Sequence, residues 1–583
     1  MMRIERLAWL SSDIALVLGV IHGEVDARSF GWLRTDSEPE LVTAGRGALE
    51  SSDLGMVTVD LQSFVRMTLA PLPAHTRADV LDFVAGTPDA HGIVAGVALT
   101  RALVTTCDAL RERLVPSVVD RTQPIGLAAE CVLAVDERRF FVQGWYRDVE
   151  AEVTSLRLVS PEGSRVELLP LLYRFRRHDL ETLYGVPAGD PAAGAGFACC
   201  FDLPCSSRAG RGWVLELRDA AGNAVEAPVP VVVTSKDEVR SMLLGDVDLE
   251  RPAEDTLTRR HLYPAISRLQ EQNSARLRID RVIQFGRAPA APEVTIVVPL
   301  YRRIDLLQHQ LASFSLDPEV ARADLIYVLD SPEQAHELIP FAAALVDLYR
   351  IPFRVAILGQ NVGFAGANRA GASIARGRLL VLMNSDVLPM RPGWLDKMAG
   401  FYDSKPRIGA LGPKLLFEDE SIQHAGLFFR LPANATFWEN DHYFKGLHRD
   451  LAPASVSRPV PGVTAACLMV DRDLFVKVGG FSGAFVRGDY EDSDFCLRLI
   501  EAGCENWYFA DVELYHLEGQ SYESSLRRTA SRYNGWLQTH IWGDRIAEVM
   551  DVFAPPGKPE VRMADLIPIE SSNGGVVEVA RGG

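Results

Sequence analysis

Three things are scarce in this 583-residue chain, and each scarcity removes a class of protein. Cysteine is the first: there are only eight, at Cys107, Cys131, Cys199, Cys200, Cys205, Cys467, Cys496 and Cys504, and no two stand in a C-x-x-C pair. Spacing this sparse and irregular argues against a disulfide framework or a zinc ribbon and favours reduced thiols in a cytosolic protein. Long apolar runs are the second. The longest early one, Ile14 to Ile21, is bounded by Asp13 and Glu24 and has no small-residue cleavage site after it. A bilayer span needs about 20 apolar residues, and a secretory leader needs that cleavage site, so the run reads as a buried strand. The chain is expected to be cytoplasmic, with at most a peripheral association with the inner face of a membrane. Positive charge is the third: Lys and Arg number 60 against 77 Asp and Glu, a formal charge of −17. A nucleic-acid binder carries a basic excess or a basic stripe, so no nucleic-acid partner is expected.

What is present is globular. Hydrophobic residues make up 48% and charged residues 23%, which excludes a disordered or fibrous chain. The length predicts several domains. Residues 1–125 form a β-rich module with a helical end near 101–114. Residues 126–235 carry short β-branched and aromatic runs separated by turn signals, Pro161-Glu162-Gly163 and Ala221-Gly222-Asn223 among them, the pattern of a sandwich-like module. Their aromatics Phe140, Phe141, Trp145 and Tyr146 could stack on sugars, but aromatics in strands are more often core. A charged, helical linker follows at 236–290 and ends in the Pro/Ala stretch GRAPAAPE, the strongest boundary signal in the chain. The tail from 551 to 583 is rich in Pro and Gly and is expected to be loosely ordered.

Between 291 and 550 the texture changes. Four continuous apolar runs, at 294–298, 325–329, 354–358 and 379–383, alternate with helical patterns at 305–315, 335–349 and 365–376. Apolar strands without a polar face predict a mostly parallel sheet flanked by helices, an α/β fold. Ligands of such sheets bind beyond the carboxyl ends of the strands. Those ends carry Pro299-Leu300-Tyr301, then Asp330-Ser331, then the glycine-rich 359–371, then Asn384-Ser385-Asp386. The glycines Gly363, Gly366 and Gly371 fit neither a dinucleotide fingerprint nor a P-loop. They serve either close helix packing or close approach to a phosphate. Asp386 puts a carboxylate where a buried strand emerges, as a metal-bound diphosphate requires; the alternative is a cap on the next helix.

Farther along, Asp489, Glu491, Asp492 and Asp494 crowd the start of a helix that shows Phe495, Leu499 and Ala502 at helical spacing and Gly503 beyond its end. Acids favour helix N-termini through the macrodipole, but four together repel unless a cation or a proton-transfer role balances them. His516 follows another strand-like run. Beyond it, residues 532–542 suggest a helix beside the site, with Arg527, Arg528 and Arg532 able to meet phosphate or to face solvent.

Taken in order, these residues resemble the family 2 glycosyltransferases of the GT-A fold, over a little under half of the chain. The resemblance rests on Pro299 and Tyr301, on Asp330, on Asn361, Gly363 and Asn368 as an N-x-G-x-x-x-x-N segment, and on Asn384-Ser385-Asp386 in place of D-x-D. It continues through Glu491-Asp492 with Leu497-Arg498, and His516. It implies inverting transfer of a sugar from a nucleotide-diphosphate sugar to a hydroxyl of a glycan or lipid-linked glycan acceptor, in bacterial-type surface polysaccharide synthesis. In that scheme Asp492 is the general base and Glu491 orients it or the acceptor. Pro299, Tyr301, Asp330, Asn361, Gly363, Asn368, Asn384 and Ser385 bind the donor. Asp386 and His516 hold a divalent cation, Mn2+ or Mg2+. Asn384 departs from the first acid of D-x-D and leaves those two as the main protein ligands. The alternative is a catalytically silent carbohydrate-binding or scaffold protein on the same fold. A sugar-nucleotide pyrophosphorylase is disfavoured, because no Gly-rich basic loop follows the first strand.

Overall fold

A computed structural model describes strands at residues 2–9, 14–21, 27–34 and 40–43 by their backbone, and residues 125–553 apart from 149–152, 186–194, 208–211, 221–223, 230–231, 246–254, 433–434 and 518–523. The helix expected at 101–114, the turn at 221–223, the side chains of Arg527 and Arg528 and the tail beyond Phe553 lie outside the described residues. The chain divides into two compact units. The first comprises Met1–Arg240 with Thr256–Ala265, and the second Ser241–Asp255 with Ile266–Gly583.

In the first unit, β1 (Met2–Trp9), β2 (Ile14–Ile21), β3 (Ala27–Arg34) and β4 (Glu40–Thr43) form an antiparallel meander in sequence order. The apolar run at 14–21 is thus an inner strand, paired on both sides. A sandwich follows. One sheet joins β5 (Ile125–Ala134), β6 (Arg139–Asp148), β9 (Tyr173–Phe175), β10 (Gly196–Asp202) and β13 (Val232–Val233). The other joins β7 (Val153–Val159), β8 (Arg165–Glu167), β11 (Val214–Asp219) and β12 (Ala224–Pro228). Phe140 sits between the sheets against Trp213, with ring centroids 4.9 Å apart. Phe141 and Trp145 are also buried, and the Arg174 guanidinium covers the Tyr146 ring at 3.8 Å. These four aromatics are therefore packing residues and do not form an open platform for sugars.

The helical segment, with helices Lys236–Gly245 and Tyr263–Ala275, ends sooner than the sequence suggested. Residues 279–285 form β14 (Ile279–Phe285), which pairs antiparallel with β17 (Phe353–Leu358). The Pro/Ala stretch is accordingly a loop between two strands of the second unit's sheet, because a strand precedes it.

The second unit is built on an eleven-stranded sheet. Its core is parallel: β15 (Val294–Leu300) lies between β16 (Asp324–Leu329) and β18 (Leu379–Met383), and β17 flanks β16. Antiparallel additions complete it: β19 (Val387–Pro389), β20 (Ile408–Leu416), β21 (Ile422–His424), β24 (Arg458–Val460), β25 (Cys467–Asp471) and the long β26 (Glu505–His516), although β20 and β26 run parallel to each other. A separate hairpin pairs β22 (Leu427–Arg430) with β23 (Glu439–His442).

The parallel strands are buried on both faces, which is why they read as unbroken apolar runs. Ile296, Val298, Leu325 and Tyr327 pack on one side with helices Leu306–Phe314, Ala335–Tyr349 and Trp394–Asp403. Val297, Ile326, Val328 and Ala356 pack on the other with helix Gly363–Ser373. Burying both faces leaves only strand ends for chemistry, so Tyr301, Asp330, Gly359 and Asn384 emerge along one edge.

Near the opposite edge, Asp324 on β16 is 2% exposed and forms a forked pair with Arg354 of β17, which is 7% exposed. Asp324 also accepts from Thr295 Oγ1 at 3.1 Å and from the Arg376 amide at 3.0 Å. The carboxylate thus ties three neighbouring strands to the end of the 363–373 helix. Arg354→Met would strand it unpaired in the interior. The expected loss is about 3–5 kcal/mol of stability, read as a lower urea midpoint with unchanged slope.

Candidate active site

Each carboxyl-end segment is fixed by its neighbour. Beyond β15, Tyr301 is half-buried under the Arg302 guanidinium, 5.1 Å from its ring. The Arg302 amide donates to Ser331 Oγ at 3.2 Å, joining the ends of the first two parallel strands. Asp330 is buried, and its carboxylate receives the Val362 and Gly363 amides at 2.7 and 2.9 Å and Asn361 Nδ2 at 3.1 Å. It therefore caps the 363–373 helix from a different strand. Burial pushes its pKa up to about 7, against the opposing pull of those amides. Asn361 stays exposed beside it.

The glycine-rich segment divides between its two readings. A Cβ on Gly371 would lie 2.3 Å from Val297 Cγ1, and one on Gly366 would lie 2.6 Å from Val362 Cγ2, so these two serve packing. Gly363 has φ +79° with open space around its Cα and starts the helix. Asn368, expected in the donor pocket, is instead fully buried, with Nδ2 donating to Phe364 O at 3.0 Å and Oδ1 unpartnered among the described residues. Its place on the helix turns it inward, where it cannot line an open pocket.

At the end of β18, Asn384 and Asp386 meet His516 at the end of β26. His516 Nε2 is 3.4 Å from Asp386 Oδ1 and 3.4 Å from Asn384 Nδ2. Its Nδ1 lies 2.6 Å from Gln423 Oε1, and Gln423 Nε2 reaches the His516 carbonyl at 3.4 Å. An amide oxygen only accepts, so Nδ1 carries a proton, and in the neutral imidazole Nε2 presents its lone pair towards Asp386. This is the arrangement that a metal-ligating histidine takes from its outer partner. Two ligand atoms about 3 Å apart suit adjacent positions around an ion with bonds of about 2.1 Å. The residues thus fit a divalent cation, with two protein ligands. Among the described residues no cluster of three His, Cys, Asp or Glu side chains could hold a metal. Asp386 does not cap the following helix, which starts behind Gly393 with the Gly393 amide on Asp317 at 3.0 Å.

Among the described residues the four acids near 490 do not form a metal-holding cluster. Asp494 points away to a fork with Arg498 and to Trp542 Nε1 at 2.9 Å. Glu491 is 5% exposed, and its Oε2 has no partner among the described residues. Burial, with Asp492 and Asp489 adding like charge, holds its pKa well above the usual carboxylate range. Asp492 retains some surface, accepts from the Ser493 amide at 2.8 Å and the Ala465 amide at 3.1 Å, and is also raised by burial. Helix geometry separates the group, because neighbours in sequence point to different sides. The helix Glu491–Glu501 ends as expected at Gly503, with the Gly503 amide on Ile500 O and the Cys504 amide on Leu499 O, a Schellman closure.

One short segment connects the two halves. The Ala465 amide donates to Asp492, while the Ala466 carbonyl accepts from the Asn384 amide at 2.9 Å. Buried Gln310 supports the same place, its Nε2 donating to Asn384 O at 3.0 Å and Val387 O at 3.1 Å. Sequence reasoning missed Gln310, Gln423 and residues 464–466. Isolated amides and small residues carry no motif, and only the fold brings them to the site.

Residues 295–476 match the model of Glycosyl transferase family 2. The chain carries a family 2 glycosyltransferase domain, with an additional β-rich region before it. Three relatives match about two fifths of the chain. "Uncharacterized protein y4gI" of Sinorhizobium fredii is 29% identical over 236 residues, covering 40% of this chain and 25% of its own length. "O-antigen biosynthesis protein RfbC" of Myxococcus xanthus is 28% identical, covering 40% of this chain and 18% of its own. The "N-acetylglucosaminyl-diphospho-decaprenol L-rhamnosyltransferase" of Mycobacterium tuberculosis is 27% identical over 264 residues, covering 40% of this chain and 83% of its own. The chain thus spans a quarter or less of the first two relatives. No helix among the described residues is long and apolar enough to cross a membrane.

The raised Asp330 pKa sets a pH dependence. Between its ordinary 3.8 and about 7 the folded chain holds a proton that the unfolded chain has released. Stability therefore falls as pH rises through that window, with a slope of up to about 1.4 kcal/mol per pH unit. Asp330→Asn should flatten this part of the stability profile, measured by urea unfolding from pH 4 to pH 8.

Proposed function

We propose that this chain is an inverting glycosyltransferase, moving a hexosyl or deoxyhexosyl group from a nucleotide-diphosphate sugar to an acceptor hydroxyl during bacterial-type surface glycan synthesis. The observation that carries the reading is the 464–466 segment, which holds the Asp492 carboxylate and the Asn384–Asp386 strand end on consecutive residues. A proton acceptor and a diphosphate-facing carboxylate are thereby kept at fixed separation, as an in-line displacement needs.

Asp492 takes the proton from the acceptor hydroxyl as its oxygen bonds to the anomeric carbon. The bond from that carbon to the diphosphate oxygen breaks, and its electron pair leaves with the nucleoside diphosphate. A raised pKa makes Asp492 a stronger base than an exposed carboxylate. Its amide donors at Ala465 and Ser493 fix its direction. Glu491, whose charged form is disfavoured by burial, can orient the acceptor or support Asp492. Tyr301, with Pro299 before it, and Asp330 with Asn361 and Gly363 form the nucleoside side, while Asn384 and Ser385 face the diphosphate. Asn368 supports the helix from within. A divalent cation, Mn2+ or Mg2+, held by Asp386 and His516 would neutralise charge on the departing diphosphate.

The rhamnosyltransferase relative, whose name gives a lipid-linked acceptor, supports an acceptor of that class. The domain reading that accompanies this puts catalysis downstream of residue 279, with the modules at 1–125 and 126–235 and the tail from 551 outside the chemistry.

The test is a panel of nucleotide sugars screened for metal-dependent binding, followed by acceptors with the best donor. Metal-dependent donor hydrolysis also separates an enzyme from a silent scaffold. Asp492→Asn should retain donor binding and lose transfer by about 10²–10⁴-fold; transfer near wild type would sink the base assignment. In the wild type, the rate should rise with pH through a limb above the ordinary carboxylate range. Gln423→Leu frees the His516 ring and should weaken Mn2+ binding by about 10–100-fold in calorimetry with UDP present. Unchanged affinity would count against the metal role.

A further inference from the structure

The segment entering the base helix is held in a conformation that its own residues disfavour. Four consecutive residues have positive φ: Arg487 at 63°, Gly488 at 92°, Asp489 at 81° and Tyr490 at 76°. Each of the three that are not glycine costs about 1–2 kcal/mol there. Such strain persists only where surrounding groups over-determine it.

Those groups come from one stripe of the C-terminal helix Ser524–Phe553. Asn534, completely buried, accepts the Val486 amide on Oδ1 at 2.9 Å. Its Nδ2 is shared among the carbonyls of Val486 at 3.0 Å, Gly488 at 3.2 Å and Asp489 at 3.0 Å. One turn on, Gln538 Oε1 accepts from Ser493 Oγ, and its Nε2 donates to Asn440 Oδ1 at 3.1 Å. A further turn on, Trp542 Nε1 donates to Asp494. Residues spaced by four lie on one helix face, so a single stripe grips both sides of Glu491–Asp492.

We propose that Asn534 is a positioning residue, which sets the direction of Asp492 by gripping the backbone of 486–489 and so holding 487–490 in their left-handed path. The proposal rests on the reading of Asp492 as the base. Without Asn534, four backbone groups lose their partner and residues 487–490 relax towards ordinary φ. The first turn of the base helix then rotates, and the Asp492 carboxylate leaves the Ala465 amide.

The experiment compares the full chain with Asn534→Ala and Asn534→Asp. Asn534→Asp keeps the acceptor for Val486 but sets a second oxygen against three carbonyls. Two readouts are taken: amide hydrogen exchange, which needs no ligand, and steady-state transfer with the donor that the nucleotide-sugar panel identifies. For both variants, exchange across 486–493 should rise at least about tenfold while 294–300 and 324–329 stay within about twofold. The kcat should fall about 100-fold with donor KM within about twofold, as misplacement near 1 Å produces. An equal rise of exchange in the sheet, a loss confined to KM, or an unchanged kcat would each overturn the proposal. Should neither Asn534 variant fold, Gln538→Ala, which releases Ser493, is held to the same outcomes. If Asp492→Asn transfers at the wild-type rate, the base reading and the catalytic part of this proposal fall together. A local exchange difference would remain, which distinguishes that failure from one in which Asn534 does not hold the segment.

Discussion

Two adjacent backbone groups hold the candidate site together. The Ala465 N–H points to Asp492 and the Ala466 C=O to the Asn384 amide. The parallel sheet delivers Asn384 and Asp386 to its carboxyl edge, and the helix Glu491–Glu501 delivers Asp492 from far along the chain. Neither element alone fixes a distance between them. A short run of Thr464 and two alanines can lie between both without bulk, and it converts two independent positions into one. Gln310, Gln423 and Asn534 then act on the joined pieces, each through a buried side-chain amide.

Charge is managed locally. The 17 charges by which acids outnumber bases are not gathered at the base helix, and among the described residues the crowding at 489–494 forms no metal-holding cluster. Asp494 is paired with Arg498, burial raises the pKa of Glu491, and Asp492 is supported by two amides. Asp330 illustrates the same economy. Its carboxylate caps a helix from a neighbouring strand, and the amides that hold it only partly offset its desolvation. The pairing that fits a metal lies elsewhere, at Asp386 and His516, where Gln423 engages Nδ1 and turns Nε2 towards Asp386.

Much of the second unit was legible because burial on both faces of a parallel sheet writes itself into sequence as unbroken apolar runs, and the strand ends then point to Asp330, Asn384 and Asp386. The Schellman glycine at 503 was equally readable, since left-handed φ is a local demand. Features that depend on a distant partner were not. The Pro/Ala stretch looked like a boundary because nothing local says that 279–285 pairs with 353–358. Asn368 looked like a pocket residue because motif order does not show which way a helix faces. The aromatics at 140–146 were ambiguous until the fold set Phe140 against Trp213 and Trp145 against Leu180.

The sequence by itself determined the class of fold, the edge on which chemistry can occur and the residue types available there, because alternation, burial and turn chemistry act over a few residues. Tertiary structure decided how those residues are used. It paired Asp386 with His516, separated Asp494 from Asp492, turned Asn368 inward and set Asn534 under the strained 487–490 segment. Each of these is a contact between positions distant in the chain, and only packing fixes which side chains meet and which proton or lone pair faces the site.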